Sequence, residues 1–519
     1  MTPLPDLVRA MLDPSFYHET SQKVQLLQTQ MSFVFIVGPS VYKIKKPVNL
    51  GYLDYSDLEA RRAFCERETI LNRRLCPEVY LGVVPITKRN GQFALGGDGE
   101  IVEYCVKMRS LPEDRMLNVL LAKNGVVPSM IDSLSRKVAD FHKIAESTNE
   151  ISAFGDIKVI KGNCLENFDQ TEKSIGRAVS LQKYQRIKTF TLDFLAANES
   201  LFRSRVERKK IRDCHGDLHA AHICFTDGIC IYDCIEFNDR FRYGDVGSEV
   251  AFLAMDLDHY GRADLSIRFV DGYVNLTGDH ELLDVLRFYK CYRAYVRGKV
   301  ESFKLDDKYL SKLDRENALR VASHYFDLAS FYSRSRTSLL ITAGVTGTGK
   351  TTAAMAIARR SGFAVISSDM VRKELAGIPL TERRHDKLDT GLYSEESTRR
   401  TYDTILGQAR DMLARKQSVI LDATFARKAD RSDARQIAAN AGADFLVLDF
   451  RGSRETIAQR LKARSKGPSV SDGRIEILDP QMERFEQVDE VPESSHVVFD
   501  ISRKIDDNIA DAFAALGES

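Results

Sequence analysis

The chain has 519 residues, more than one hydrophobic core organises, so two or three domains are expected. With 43% hydrophobic and 29% charged residues and a formal net charge of +1, its composition excludes the disordered, fibrous and membrane-embedded classes. No stretch approaches the roughly eighteen uninterrupted apolar residues of a membrane span, and the amino terminus lacks a basic flank followed by an apolar core. A cytoplasmic chain without membrane attachment is the expectation.

From Phe33 to Lys45, FVFIVGPSVYKIK reads as two β-branched strands around a Gly-Pro turn, a hairpin. Asp57 then caps a helix over 57–75, with Ala60, Phe64, Ile70, Leu71 and Leu75 near helical spacing as its apolar face. Strands follow at 79–86 and 101–108, and helical patterns dominate 114–207. A short block at 211–237 interrupts them, and helical periodicity returns at 280–333. After the polar stretch SRSRTS (333–338) the pattern resets. An apolar strand, LLITAG, is followed by strands at 363–367, 418–422, 445–450 and 496–500 that alternate with helices, the signature of a parallel sheet. The expected organisation is 1–108, 109–335 and 336–519.

Nine cysteines at irregular spacing fit neither a disulfide framework nor paired CxxC zinc knuckles. Cys224, Cys230 and Cys234 lie in apolar runs and read as buried thiols. Residues 341–519 carry 27 Lys plus Arg against 28 Asp plus Glu, so no domain-wide positive field advertises nucleic acid, although a local groove stays open.

Residues 344–351, GVTGTGKT, fit G-x-x-x-x-G-K-[ST] after a predicted strand and at the start of a predicted helix. Gly344, Val345, Thr346, Gly347, Thr348, Gly349, Lys350, Thr351 and Thr352 are therefore the expected cradle for the phosphates of ATP. The glycines let successive amides turn inward at a helix amino terminus. Lys350 should reach the β and γ oxygens, and Thr351 should ligate Mg²⁺. Asp422, ending the strand SVILD, suits the magnesium carboxylate on a neighbouring strand.

The second strand runs into SSDMVRKEL, which places Asp369 and Arg372 on one face of a first helical turn. The order GxxxxGKT, SSDxxR, LDATF and a basic segment resembles the small P-loop kinases that include polynucleotide 5′-hydroxyl kinases, zeta-toxin kinases and gluconate kinases, over residues 339 to about 500. That resemblance implies that Asp369 orients or deprotonates an acceptor hydroxyl and that Arg372 holds a substrate phosphate or the transferring group. In RGSRETIAQRLKARSK (451–466), Arg460 and Arg464 lie four apart on one helical face. They read as a lid bringing arginine to the γ-phosphoryl group, with a solvated basic face as the alternative.

CHGDLHAAH (214–222) followed by ICIYDCIEF resembles the aminoglycoside phosphotransferase family, relatives of the protein-kinase fold, over roughly residues 30–300. The resemblance implies Asp217 as catalytic base and Asp233 as magnesium ligand. Lys43 and Lys45 in VYKIKK share a strand face, and Lys43 is favoured as the phosphate-binding lysine. Its carboxylate partner would be Glu68, or second Glu66, and VEYCVKM (102–108) would be the hinge at the adenine. His222 stands where the family usually has an Asn metal ligand, and an imidazole is a poorer partner for Mg²⁺, so this half would bind metal weakly or use one ion. His215, His219 and His222 admit a zinc alternative, but their spacing around Asp217 fits the kinase motif better. Asp245 aligns with an acidic residue of structural type.

With DCIEFNDRFRYGD and LAMDLD, the whole arrangement is similar to bacterial proteins described as bifunctional aminoglycoside phosphotransferase and ATP-binding proteins. That label does not make an antibiotic the substrate. The expected fold is α/β and α+β multidomain, kinase-like first and P-loop last. The expected function is transfer of the γ-phosphoryl group of ATP, with Mg²⁺, to a hydroxyl on a small molecule or on a nucleic-acid or nucleotide 5′ end. The alternative is an ATP-binding regulatory switch with a catalytically silent kinase-like half. A translocating ATPase lacks an identifiable oligomer-forming arginine-finger segment.

Overall fold

The computed structural model describes residues 4–17, 23–51, 53–307, 310–379, 390–464 and 474–518. They form two compact units, one of Met1–Leu165, Leu195–Asp256 and Arg268–Tyr289, the other of Glu166–Phe194, Leu257–Ile267 and Lys290–Ser519. The P-loop sheet thus shares its unit with helical segments that precede residue 336, among them Lys312–Tyr332. Among the described residues no helix is long and apolar enough to cross a membrane.

The first unit is built on an antiparallel six-stranded sheet of β1 (Val24–Gln28), β2 (Ser32–Val37), β3 (Ser40–Lys45), β4 (Tyr80–Arg89), β5 (Gln92–Leu95) and β6 (Glu100–Arg109), ordered β1-β2-β3-β6-β4-β5. The expected hairpin is β2–β3, closed at Val37↔Ser40 with Gly38 at φ +54°. Phe33, Phe35, Val37, Tyr42 and Ile44 bury one side of it in a core with Val8 and Met11. Each such large apolar side chain contributes about 1.5–3 kcal/mol of transfer free energy. The proposed hinge segment 102–108 lies wholly inside β6.

The helix Leu58–Arg73 is capped by Asp57, whose carboxylate accepts from the Ala60 amide at 3.0 Å. Of the expected apolar face, Leu71 and Leu75 are buried and Ala60 and Phe64 half-buried, but polar residues share the buried side. Ile70 is 67% exposed, whereas Arg61, Cys65, Glu68, Thr69 and Asn72 are buried beside Leu71. The inner face meets lysines and loop backbone rather than a greasy surface, so polar residues with fixed partners occupy it: Arg61 on Glu103, Glu68 on Lys43, Asn72 on the Cys234 amide.

Beyond the sheet, β7 (Ile211–Asp213) pairs with β10 (Tyr243–Asp245), and β8 (Ile223–Phe225) with β9 (Ile229–Ile231). The HGD loop joins β7 to β8, and Asp233 follows β9. This is the protein-kinase-like arrangement. Arg205 anchors it from below, fully buried between Asp245 and Asp279. One cysteine expectation is corrected: Cys76 and Cys230, 154 residues apart, form a disulfide, while Cys224 and Cys234 stay buried thiols.

The second unit carries a parallel sheet of β11 (Ser338–Ala343), β12 (Ala364–Ser367), β13 (Val419–Asp422), β14 (Asp444–Arg451) and β15 (His496–Asp500), ordered β12-β13-β11-β14-β15. Every residue of β11 and β13 is buried, as expected of strands covered on both faces. One face packs on the helices Lys350–Ser361 and Ile505–Ala515 through Ile357, Ile509 and Phe513, the other on Glu395–Ala414 and Lys428–Ala441 through Ile405 and Ala434.

Candidate functional sites

At the carboxyl ends of β12, β13, β11 and β14 one edge of the parallel sheet collects the P-loop residues, in the place where open α/β sheets bind ligands. Gly344, Gly347 and Gly349 hold φ of +146°, +81° and +92°, values that disfavour a side chain. Space is short as well. A Cβ at Gly344 would stand 2.9 Å from Phe450 Cβ, and one at Gly347 2.8 Å from Leu461 Cγ. The loop is therefore pressed between β14 and the helix Arg454–Arg464, and it leads through Gly349 into the amino terminus of Lys350–Ser361. Val345 and Thr348 are buried in the loop, the Thr348 hydroxyl donating to the Val345 carbonyl at 2.8 Å, and Thr352 is exposed on the first helical turn.

Lys350 Nζ donates to the Val345 carbonyl at 2.9 Å, folded along the loop that it would serve. Thr351 Oγ1 donates to Asp422 Oδ2 at 2.7 Å. Asp422 is 5% exposed; burial pushes its carboxyl above the usual range, and the Thr351 hydrogen bond offsets part of that. Two oxygen donors this close match neighbouring ligands of an octahedral Mg²⁺, which takes oxygen at about 2.1 Å. These are the residues present to hold that ion.

Asp369 is the second residue of the helix Ser368–Leu375, directly after β12, half-buried and near enough to push the Asp422 carboxyl up as well. Arg372, expected on the same face, has protein partners of its own. It is buried, its Nη1 donates to the Leu392 carbonyl at 3.2 Å, and its guanidinium sits 4.7 Å over the Tyr393 ring. Arg460 donates through Nη2 to the Ile501 carbonyl at 2.7 Å, while Nη1 lies 3.6 Å from where a Cβ on Gly349 would be. It therefore stands beside the P-loop. The side chain of Arg464 lies outside the described residues. Sequence reasoning missed Gln481, on the helix Leu478–Arg484, whose Oε1 accepts from the Thr346 amide at 2.9 Å. No local pattern marks it.

In the first unit Lys43 Nζ lies 2.8 Å from both Glu68 Oε1 and Asp233 Oδ1. Strand β3 and the helix Leu58–Arg73 present the lysine and glutamate, and the turn after β9 brings the aspartate with a left-handed φ of +62°. Glu66 is on the outer helix face, paired with Arg62. Lys45 points the same way as Lys43 but is sealed beneath it, bridging Glu68 Oε2 at 2.8 Å and Glu236. Burial opposes the charges of Lys43 and Glu68, yet Asp233 and then Glu68 hold the Lys43 ammonium well above its ordinary value, and Lys43 and then Lys45 hold the Glu68 carboxyl below its own. Burial likewise pushes the Asp233 carboxyl up, and the Lys43 ammonium overcomes it and holds the carboxyl well below the usual carboxylate range.

Asp217 is 32% exposed by side chain at the cleft, with His222 Nδ1 3.5 Å and His219 Nε2 3.6 Å from its Oδ2. His222 Nε2 faces Asp233 Oδ2 at 3.6 Å. Burial, then the adjacent His219 ring, pulls the His222 imidazole down to about 4. His215 supports the group from the buried side: its Nδ1 accepts from the Asp217 amide at 3.3 Å, and its Nε2 lies 3.0 Å from the Tyr232 carbonyl. Glu249 fixes the HGD loop from behind, accepting from the amides of His215 at 2.8 Å and Gly216 at 2.6 Å.

A lysine–glutamate pair with a facing aspartate on one fold, and a P-loop with a hydroxyl–carboxylate pair on another, define a class: a protein with a protein-kinase-like part and a P-loop part. Residues 339–488 match the AAA domain family AAA_33. Over 455 residues the chain is 31% identical to an uncharacterized protein of Mycobacterium tuberculosis, covering 87% of this chain and 88% of that one, and it belongs to the same family. The counterpart from Mycobacterium bovis matches with the same figures. Among solved structures, a gluconokinase from Sinorhizobium meliloti aligns at 20% identity with 36% of this chain and 94% of its own, TM-score 0.27. A choline/ethanolamine kinase family protein from Mesorhizobium loti aligns at 13% identity with 63% of this chain and 98% of its own, TM-score 0.37.

Proposed function

We propose that the chain is an ATP-dependent phosphotransferase that moves the γ-phosphoryl group to a hydroxyl acceptor at the P-loop site, with a second nucleotide site in the kinase-like part. The carrying observation is the Thr351–Asp422 pair, 2.7 Å apart, with Asp369 opening the helix after the neighbouring strand at the same sheet edge. A nucleotide switch needs the pair but has no use for an acceptor-side carboxylate.

The P-loop amides and Lys350 bind and orient the triphosphate, and Asp369 accepts the proton of the attacking hydroxyl. Mg²⁺ held by Thr351 and Asp422 would supply charge neutralisation on the β and γ oxygens. Arg460, tethered to Ile501 beside Gly349, is placed to meet negative charge at the loop mouth. The balanced charge of this part favours a small hydroxyl compound over long nucleic acid.

The test is transfer of radiolabelled γ-phosphate from ATP to a panel of sugar acids, polyols and a 5′-hydroxyl oligonucleotide, comparing wild type with Asp369→Asn. Transfer lost in the variant with ATP binding retained supports the reading, and the accepting compound names the substrate class. Equal transfer by both proteins removes Asp369 from the chemistry. A second reading, a kinase-like part that binds nucleotide without turning it over, is favoured by His222 in the position of the family amide. Asp217→Asn would then leave all transfer unchanged.

A further inference from the structure

The kinase-like part contains a contact that hydrogen bonding does not explain. His222 Nδ1 lies 3.1 Å from the Asp217 main-chain carbonyl, which can only accept, so Nδ1 carries the ring proton and Nε2 presents a lone pair. That lone pair faces Asp233 Oδ2, a carboxylate oxygen, at 3.6 Å. Two acceptors pointed at each other in a recess where His222 is 16% exposed repel unless a positive centre stands between them. The other oxygen of Asp233 is engaged by Lys43, which fixes the orientation of the carboxylate.

We infer that His222 Nε2 and Asp233 Oδ2 form a mixed nitrogen and oxygen site for a divalent transition ion of the Mn²⁺ class, in place of the all-oxygen Mg²⁺ site that an asparagine would give. Its place in the chemistry rests on the reading of this part as a nucleotide site, where phosphate oxygens would replace some of the waters that otherwise complete the coordination. The spacing is right. Two ligands each about 2.1–2.2 Å from an ion lie about 3.5 Å apart at the tetrahedral angle and about 3.0 Å at the octahedral one, so the pair must close by about 0.1 Å for the first and about half an ångström for the second. The shell behind the ligand is also in place, since a metal-bound histidine usually donates its other ring N–H to a carbonyl or carboxylate, as Nδ1 does to Asp217.

His219 is not a ligand, although its ring is 4.0 Å from that of His222. Its Nδ1 accepts from the Ala221 amide at 3.3 Å, so its proton is on Nε2, directed at Asp217 Oδ2. The cluster therefore divides its work: His219 steadies Asp217 beside the acceptor hydroxyl, and His222 selects the metal. Imidazole binds transition ions readily and Mg²⁺ poorly, so the substitution changes which ion the site takes rather than abolishing the site.

The experiment uses the full chain carrying Lys350→Ala, which silences the P-loop, with Mn²⁺ added alone and with a non-hydrolysable ATP analogue. Electron spin-echo modulation reads imidazole nitrogen bound directly to Mn²⁺. The expected result is a nitrogen coupling that His222→Asn abolishes, with the preference for Mn²⁺ over Mg²⁺ falling about tenfold. A coupling absent in both samples, or unchanged in His222→Asn, overturns the inference, and the gap is then filled by a proton. Nucleotide binding is followed separately through Lys43→Met. A coupling seen with Mn²⁺ alone in a protein that binds no nucleotide here upholds the metal site and sinks the nucleotide reading.

Discussion

Lys45 Nζ lies 2.8 Å from Glu68 Oε2, so the carboxylate that serves Lys43 is gripped from both sides. Lys45 also holds Glu236, whose Oε1 accepts from the Tyr55 hydroxyl at 2.7 Å. The two lysines share a strand face but not a task. Lys45 is 1% exposed by side chain and Lys43 15%, at the edge of the cleft. Removing Lys45 leaves buried Glu236 with the Tyr55 hydroxyl but no cation and leaves Glu68 to Lys43 alone, a change that costs about 3–5 kcal/mol. Lys45→Met is expected to lose that much stability in urea unfolding at pH 7, whereas Lys43→Met loses less stability and more nucleotide affinity. Equal losses in both assays would refute the division. Since Lys45 is held above its ordinary value of 10.5, its contribution is complete below that pH and is lost only as pH rises through the higher folded value.

Glu249 gives the HGD loop an acid limit. Burial pushes its carboxyl up, but the hydrogen bond from His142 at 2.8 Å and the His215 amide hold it down at about 2, against an ordinary value of 4.5. A depressed carboxyl stabilises above its unfolded value and loses that contribution as pH falls through the folded one. The window is therefore pH 4.5 down to about 2, and the amount is on the order of 3 kcal/mol. Hydrogen exchange at the His215 and Gly216 amides, corrected for intrinsic rate, should lose protection across that window. In Glu249→Gln protection should be lower at pH 7 and nearly flat below it.

What could be read in advance divides along a physical line. Strands β11 and β13 were legible because burial on both faces leaves continuous apolar runs, and the P-loop because glycine spacing dictates its backbone. Hairpin β4–β5 went unread although Asn90-Gly91, at φ +51° and +81°, is the commonest two-residue turn signal. The polar share of the inner face of Leu58–Arg73 went unread because periodicity reports apolar faces, and here the partners are charges from Lys43 and Glu103, distant in sequence. Cys76–Cys230 and Gln481–Thr346 are purely tertiary pairings with no local trace.

Gly347 ties the P-loop to the helix above it. Its φ is +81°, and a methyl group added there would meet the helix side chains Leu461 and Ile457 at 2.8 and 3.2 Å, so an alanine is both strained and obstructed. Gly347→Ala is expected to weaken ATP binding at the P-loop by at least about tenfold, corresponding to 1.4 kcal/mol, while binding through Lys43 is unchanged. Titration with a fluorescent ATP analogue in the Lys43→Met background isolates the P-loop site. Leu461→Ala combined with Gly347→Ala should recover part of the affinity, since it removes the obstruction but not the backbone strain.

Gln481 supplies the sharpest test of which groups face the phosphates. Its Oε1 accepts from the Thr346 amide, so a neutral side chain from a separate helix occupies one donor of the loop. Gln481→Glu keeps the size and the hydrogen bond but adds a negative charge where triphosphate is expected. Repulsion at the loop mouth should raise KM for ATP about tenfold or more, with the effect shrinking at high salt as charges are screened. Gln481→Leu loses the hydrogen bond without adding charge and should cost little affinity, because a phosphate oxygen can take over the freed amide. If both variants weakened ATP equally, the role of Gln481 would be packing of the helix Leu478–Arg484, and the Thr346 amide would not belong to the phosphate cradle.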